Sequence, residues 1–365
     1  MYVPRTKTFT FVSIGLALSL SLVGCAQPVE PVTQPTSTPT ASEIPAYPTT
    51  MIHSGGETTL EQKPERVVTL GSEQTDAALA LGILPVGSEP AFEGPWRLDA
   101  IQELGGSTPV EIEPAELDPG DGDTIADVQE LNPDLIVAGQ ARYFYDSDSA
   151  PIDAFYNSLP DAAPTIRLPE ASISTVPPPQ GYEYPYSTGT AWRDALVQAG
   201  QAYGESERAT ELLASIDSSL AEAAAAHPEF EGKTVAVLVS EPGAKGVLNQ
   251  TAAFPLVLEQ LGFVPIDTTT IASEGQNDLR PEVTVLRDQL ALLDVDVVLV
   301  AGSYNPELSW NEPLEQSPAG QNAVIHYLDP QSEGRPTSWA LTSPTVLSLP
   351  WALDAFVTAL SEEMK

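Results

Sequence analysis

Arginine side chains set close to aromatic rings recur along this 365-residue chain. Arg142-Tyr143-Phe144-Tyr145 is the densest such run, Trp96 precedes Arg97, and Tyr304, Trp310, Arg335 and Trp339 lie toward the C-terminus. A guanidinium fork donates to paired oxygens, and an aromatic face stacks on a flat ring or chelate. These are recognition groups for an oxygen-rich ligand. Bond-making chemistry leaves other marks, and they are missing. There is no Gly-x-Ser-x-Gly elbow, no Gly-x-Gly-x-x-Gly fingerprint and no Gly-x-x-x-x-Gly-Lys-Ser/Thr phosphate loop. His53, His227 and His326 are scattered, and Cys25 is the single cysteine. That leaves too few nitrogen and sulfur ligands for a zinc or copper site and no disulfide within the chain. Carboxylates are plentiful, but no pair is singled out for glycoside hydrolysis. The residues therefore point to a binding protein, not an enzyme. With 51 acidic and 15 basic side chains the net charge is −36. This excludes a nucleic-acid binder, which needs a basic stripe against the phosphates.

The elements that would position these groups alternate. Arg66–Leu70, Leu84–Gly87, Asp134–Ala138 and Thr165–Leu168 read as strands, with helices over 72–81, 98–104 and 124–131. A second series has strands over 234–239, 264–266, 297–301 and 325–328, with helices over 251–261 and 281–293. Strands alternating with helices give parallel sheets covered on both faces. The expected fold class is α/β, two lobes with central, mainly parallel sheets. Between them Trp192, Leu196, Ala199 and Tyr203, then Leu212, Leu213, Ile216, Leu220 and Ala223, mark a long connecting helix, kinked or broken near Gly204-Glu205-Ser206. The expected divisions are 61–188 for the first lobe, 189–229 for the connecting helix and 230–365 for the second lobe. In open parallel sheets ligands sit beyond the carboxyl ends of the strands. The cleft between the lobes would then be lined by Arg97, Arg142, Tyr143, Tyr304, Arg335 and Trp339, with Trp96 and Trp192 open between cleft and core.

The N-terminus has its own logic. Arg5 and Lys7 open the chain, Thr8–Val29 carries no charge, and Phe9–Val23 is an apolar run shorter than a membrane span of about 20 residues. Leu22-Val23-Gly24-Cys25 resembles the bacterial lipobox. The resemblance implies removal of residues 1–24, lipid on the Cys25 sulfur, and a chain held by lipid on the outer face of the cytoplasmic membrane. Residues 26–50 contain six Pro and six Thr. Such a stretch buries too little apolar surface to offset its ordering entropy, so residues 25–60 are expected to form a lipidated stalk.

Several phrases in the body resemble the substrate-binding lipoproteins of iron(III)-siderophore and cobalamin ABC importers, the periplasmic binding proteins with a helical backbone between lobes. Pro64-Glu-Arg-Val-Val-Thr-Leu70 followed by Ala77-Ala-Leu-Ala-Leu-Gly-Ile-Leu-Pro-Val-Gly87 is similar to that family's opening. Asp127–Val137 and Leu290–Leu299 resemble its helix–strand phrase in each lobe, and Ser343–Asp354 resembles its terminal helix. The resemblance implies a ferric siderophore as ligand, an ABC permease as partner, a monomer, and no resident cofactor, because iron arrives already chelated. Cobalamin or haem are the alternative ligands, with Tyr143, Tyr145 or Tyr304 as a haem ligand, and an adhesin is a further alternative. The acidity of the chain favours neutral or cationic trihydroxamates over triply charged catecholates. The family docks on its permease through one acid in each lobe. Asp288 matches in the second lobe. In the first the aligned residue is Ala126, a departure for which neighbouring Asp127 is the substitute.

Overall fold

A computed structural model describes residues 47–53, 55–89, 94–113, 124–139, 155–168, 189–240, 246–248, 253–266, 283–285, 293–301, 311–329 and 336–365. The chain divides between Ala41 and Ser42, and every described residue belongs to the second part. Residues 49–60, grouped with the stalk by sequence, form an antiparallel hairpin of β1 (Thr49–His53) and β2 (Gly56–Leu60). Met51 and Leu60 are its anchors in the core, and the Thr58 hydroxyl donates to the Thr165 carbonyl at 2.7 Å.

The first lobe is built on β3 (Val67–Leu70), α1 (Ser72–Ala80), β4 (Gly87–Ser88), α2 (Pro95–Glu103), β5 (Val110–Glu111), α3 (Ile125–Glu130), β6 (Leu135–Ala138) and β7 (Thr165–Arg167). Its five strands run in the order β5-β4-β3-β6-β7, all parallel. Side chains alternate across a strand, so one apolar run serves two cores. Val67, Leu135, Val137 and Ile166 face a core shared with the connecting helices, while Val68, Leu70, Ile136 and Ala138 face Val128, Phe155 and Leu159.

The connection is broken as the Gly204 signal implies. α4 (Ala191–Tyr203) ends on Gly204 in the left-handed region at φ 70°, and α5 (Ser206–Ala226) begins two residues later. Gly200 lets the two helices meet closely, since a Cβ there would lie 2.8 Å from that of Ala209. Arg193 of α4 pairs with Asp217 of α5 at 2.6 Å, and the Tyr47 hydroxyl donates to the Ala202 carbonyl at 2.9 Å.

The second lobe contains β8 (Thr234–Ser240), β9 (Gly246–Leu248), α6 (Ala253–Gln260), β10 (Val264–Pro265), β11 (Val283–Val285), β12 (Val297–Ala301), α7 (Asn311–Gln316), α8 (Pro318–Asn322), β13 (Val324–Tyr327), α9 (Pro336–Thr342) and α10 (Ser348–Glu363). Strands β10, β8, β12 and β13 pair in parallel. Strands β9 and β11 extend the sheet antiparallel. This corrects the helix expected over 281–293: Val283-Thr284-Val285 is β-branched throughout and pairs with β9, Thr284 opposite Val247. Val235, Val237, Val297 and Leu299 join the same large core as the first lobe's inner face, with α4, α5 and α10 between them. One apolar core therefore runs through both lobes.

Each lobe repeats one polar clamp. Asp134 accepts from the Glu65 and Arg66 amides at 2.8 and 2.9 Å, and Asp296 accepts from the Thr234 amide at 2.9 Å. Both acids stand immediately before a central strand, β6 or β12, and tie it to the start of β3 or β8.

Candidate functional site

The carboxyl end of β3 opens directly into α1. Gly71, at φ 120°, turns the chain there, and Ser72–Asp76 follow. Glu73, Gln74, Thr75 and Asp76 are all buried, an unusual polar load for a first helical turn. The Thr75 hydroxyl bonds back to the Gly71 carbonyl and to the Thr69 hydroxyl, both at 2.9 Å. Neither amide atom of Gln74 has a partner. At the end of β4, Ser88 and Glu89 are buried as well, with the Glu89 amide on the Thr69 carbonyl at 3.0 Å.

Helix α2 begins with Gly94 and Pro95, the latter in the first-turn position that suits its fixed φ. A Cβ on Gly94 would sit 2.2 Å from the Trp96 ring, so glycine is required for the indole to fold back. Trp96 and Arg97 both reach Asp76. The indole Nε1 donates to Oδ2 at 2.9 Å, the guanidinium Nε donates to Oδ1 at 2.8 Å, and a terminal nitrogen lies 2.8 Å from the same oxygen. That guanidinium also donates to the Ser72 carbonyl at 3.1 Å. The fourth group comes from the other lobe: the Thr345 hydroxyl donates to Asp76 Oδ2 at 2.6 Å. Trp351 of α10 packs on Trp96 beside it, ring centroids 5.2 Å apart.

In the second lobe, Asp329 follows β13 and is buried. It accepts from the Thr337 and Ser338 amides at 3.0 and 2.7 Å, capping α9. This fixes the first turn of α9, which carries Trp339 at 47% exposure.

The residues anticipated from sequence thus fall in different places. Trp339 is displayed on a capped helix after the last parallel strand. Arg97 is 6% exposed, its charge met by Asp76. Trp96 and Trp192 both belong to the core. Asp127 is exposed at the start of α3, where its carboxylate accepts from the Thr124 amide and hydroxyl at 2.6 and 2.7 Å. Those bonds hold its carboxyl below the usual range. Arg142, Tyr143, Tyr145, Tyr304, Arg335, Asp288 and Cys25 lie outside the described residues. Sequence reasoning missed Asp76 and Thr345. The signal for the first was an acid set directly against Ala77-Ala-Leu-Ala-Leu81, a buried apolar face. Among the described residues no three His, Cys, Asp or Glu gather as metal ligands, and no helix is long and apolar enough to cross a membrane.

Comparison with known proteins agrees with this architecture. The chain is 26% identical over 261 residues to the probable siderophore-binding lipoprotein YfiY of Bacillus subtilis, spanning 70% of each chain. A periplasmic solute binding protein of Mycobacterium smegmatis superposes with TM-score 0.63 at 23% identity, covering 87% of this chain and 98% of that one. PiaA of Streptococcus pneumoniae, in complex with ferrichrome, superposes with TM-score 0.61 at 21% identity, covering 86% and 98%. The match to the periplasmic binding protein family runs over residues 67–331, from β3 to just beyond β13, and the chain belongs to that family.

Proposed function

We propose that this chain is a lipid-anchored receptor on the extracytoplasmic face of the membrane, which captures a ferric siderophore between its lobes and delivers it to an ABC import permease. The observation that carries the reading is the pair of mainly parallel α/β sheets, one in each lobe, joined through α4 and α5, with Trp339 displayed after the last parallel strand of the second lobe. A siderophore-binding lipoprotein among the relatives and the same fold around ferrichrome in PiaA support it. The iron enters as substrate, already wrapped by the chelator's oxygens, so the receptor works without catalysis or a resident cofactor. Aromatic faces and guanidinium forks from Trp339, Tyr143, Tyr304, Arg142 and Arg335 grip the chelate. Asp288 and Asp127 meet basic permease residues, and lipid on Cys25 holds the monomer at the membrane. The test is tryptophan fluorescence of the detergent-solubilised lipoprotein titrated with ferric trihydroxamate, ferric catecholate, haem and cobalamin. Saturable quenching by one ferric siderophore class, weakened in Trp339→Ala and Arg142→Ala, is expected. Saturation by haem or cobalamin alone, or by none of the four, overturns the proposal.

A further inference from the structure

We infer that Asp76 is the positioning residue that pins the second lobe onto the first and so fixes the lobe separation that a ligand meets. Two of its donors, Trp96 and Arg97, belong to its own lobe, whereas Thr345 stands 269 residues further along the chain. The Thr345 hydroxyl works in both directions. It donates to Asp76 at 2.6 Å and accepts from the Ser348 and Leu347 amides at 3.0 and 3.3 Å. The Asp76 charge therefore reaches the N-terminus of α10 through one hydroxyl, at the end of a helix where negative charge is favoured. The Ser348 hydroxyl closes the arrangement, accepting from the Thr345 amide at 2.8 Å and donating to the Ala340 carbonyl at 3.2 Å. The α10 terminus is thereby tied to α9 on one side and to α1 on the other.

The seam is closed to water. The side chains of Asp76 and Arg97 are 1% and 8% exposed, and the Trp96–Trp351 pair packs beside them. Separating the lobes would strip Asp76 Oδ2 of its strongest neutral donor while the charge stayed buried, a costly intermediate. Arg97 completes the pin. In a chain with 15 lysines and arginines and 51 acidic residues, it is the lysine or arginine side chain found buried among the described residues, and the groups it donates to, Asp76 and the Ser72 carbonyl, lie within the first lobe. Its charge serves the seam and not the ligand. The inference does not depend on what the cleft binds.

Each substitution is read in the lobe that does not carry it, by hydrogen exchange of the full-length chain followed by mass spectrometry. Asp76→Asn, in the first lobe, is expected to speed exchange about tenfold at the start of α10, because the bond from Thr345 weakens from charge-assisted to neutral. Thr345→Val, in the second lobe, is expected to do the same in α1 and α2, and it stands in should Asp76→Asn fail to fold. The radius of gyration from small-angle scattering is expected to rise in both. Faster exchange confined to the lobe carrying the substitution, with an unchanged radius, overturns the pin and leaves Asp76 as an internal counter-charge for Arg97.

Discussion

Replacing Arg97 by Met removes the cation from a carboxylate that stays buried. The two side chains are 8% and 1% exposed, so solvent does not replace the lost partner. Removing one member of such a pair costs about 3–5 kcal/mol. The lower figure applies here, because the Trp96 indole and the Thr345 hydroxyl still donate to Asp76 at 2.9 and 2.6 Å. A loss of about 3 kcal/mol corresponds to roughly 6 °C in the thermal midpoint at about 2 °C per kcal/mol, the slope for larger domains. Urea unfolding followed by tryptophan fluorescence measures it directly, as a lower midpoint at unchanged slope. The decisive comparison is the double variant Arg97→Met/Asp76→Asn. Its amide oxygen still accepts from Trp96 and Thr345, but the orphaned charge is gone, so more than half of the lost stability should return. If the double variant is no more stable than Arg97→Met, the charge was never the problem, and the loss belongs to the packing of the arginine stem.

The connection between lobes gives a second test: Gly204→Ala forces a Cβ into φ 70°, 3.3 Å from the Tyr47 hydroxyl, and should lower stability by about 1 kcal/mol in the same urea titration. Phe254→Ala removes a fully buried ring packed 6.0 Å from that of Phe356, and a loss of about 3–5 kcal/mol is expected by calorimetry. Acid stability should depend on Glu229, whose carboxyl is pulled from 4.5 down to about 2 by the Ser361 hydroxyl first, then its own backbone amide and His227. Because the folded value is the lower one, this contribution is complete above pH 4.5 and is lost as pH falls toward about 2, so Glu229→Gln should flatten that part of the stability curve. Asp127→Asn keeps an acceptor for Thr124 and loses only the charge that its cap favours; under the proposed docking role it should reduce cellular iron uptake with only a small drop in thermal midpoint, and unchanged uptake would remove Asp127 from the docking surface.

What could be read in advance follows from the range of the forces involved. Val67-Val-Thr-Leu70 and Val297-Val-Leu-Val-Ala301 are buried, β-branched-rich runs, apolar but for Thr69, because each strand is covered on both faces, and such runs announce a parallel sheet wherever they fall. Gly204 marks the break between α4 and α5 because a left-handed residue ends a helix by local sterics alone. Short strands carry no such mark. Val283-Thr-Val285 sits in a stretch whose apolar spacing suits a helix, and its partner Gly246–Leu248 is three residues long, so only the pairing decides between them. The hairpin over 49–60 is obscured in the same way by the threonine-rich sequence before it, and declares itself only through the burial of Met51 and Leu60 against the first lobe. The seam lies furthest from sequence. Arg97 was legible as a scarce cation near a strand end, yet whether it turned to a ligand or to Asp76 depended on a helix closing over it. Thr345 has no local pattern that distinguishes it from any other helix cap. Its second bond, to an acid 269 residues away, exists only once both lobes have folded around one core.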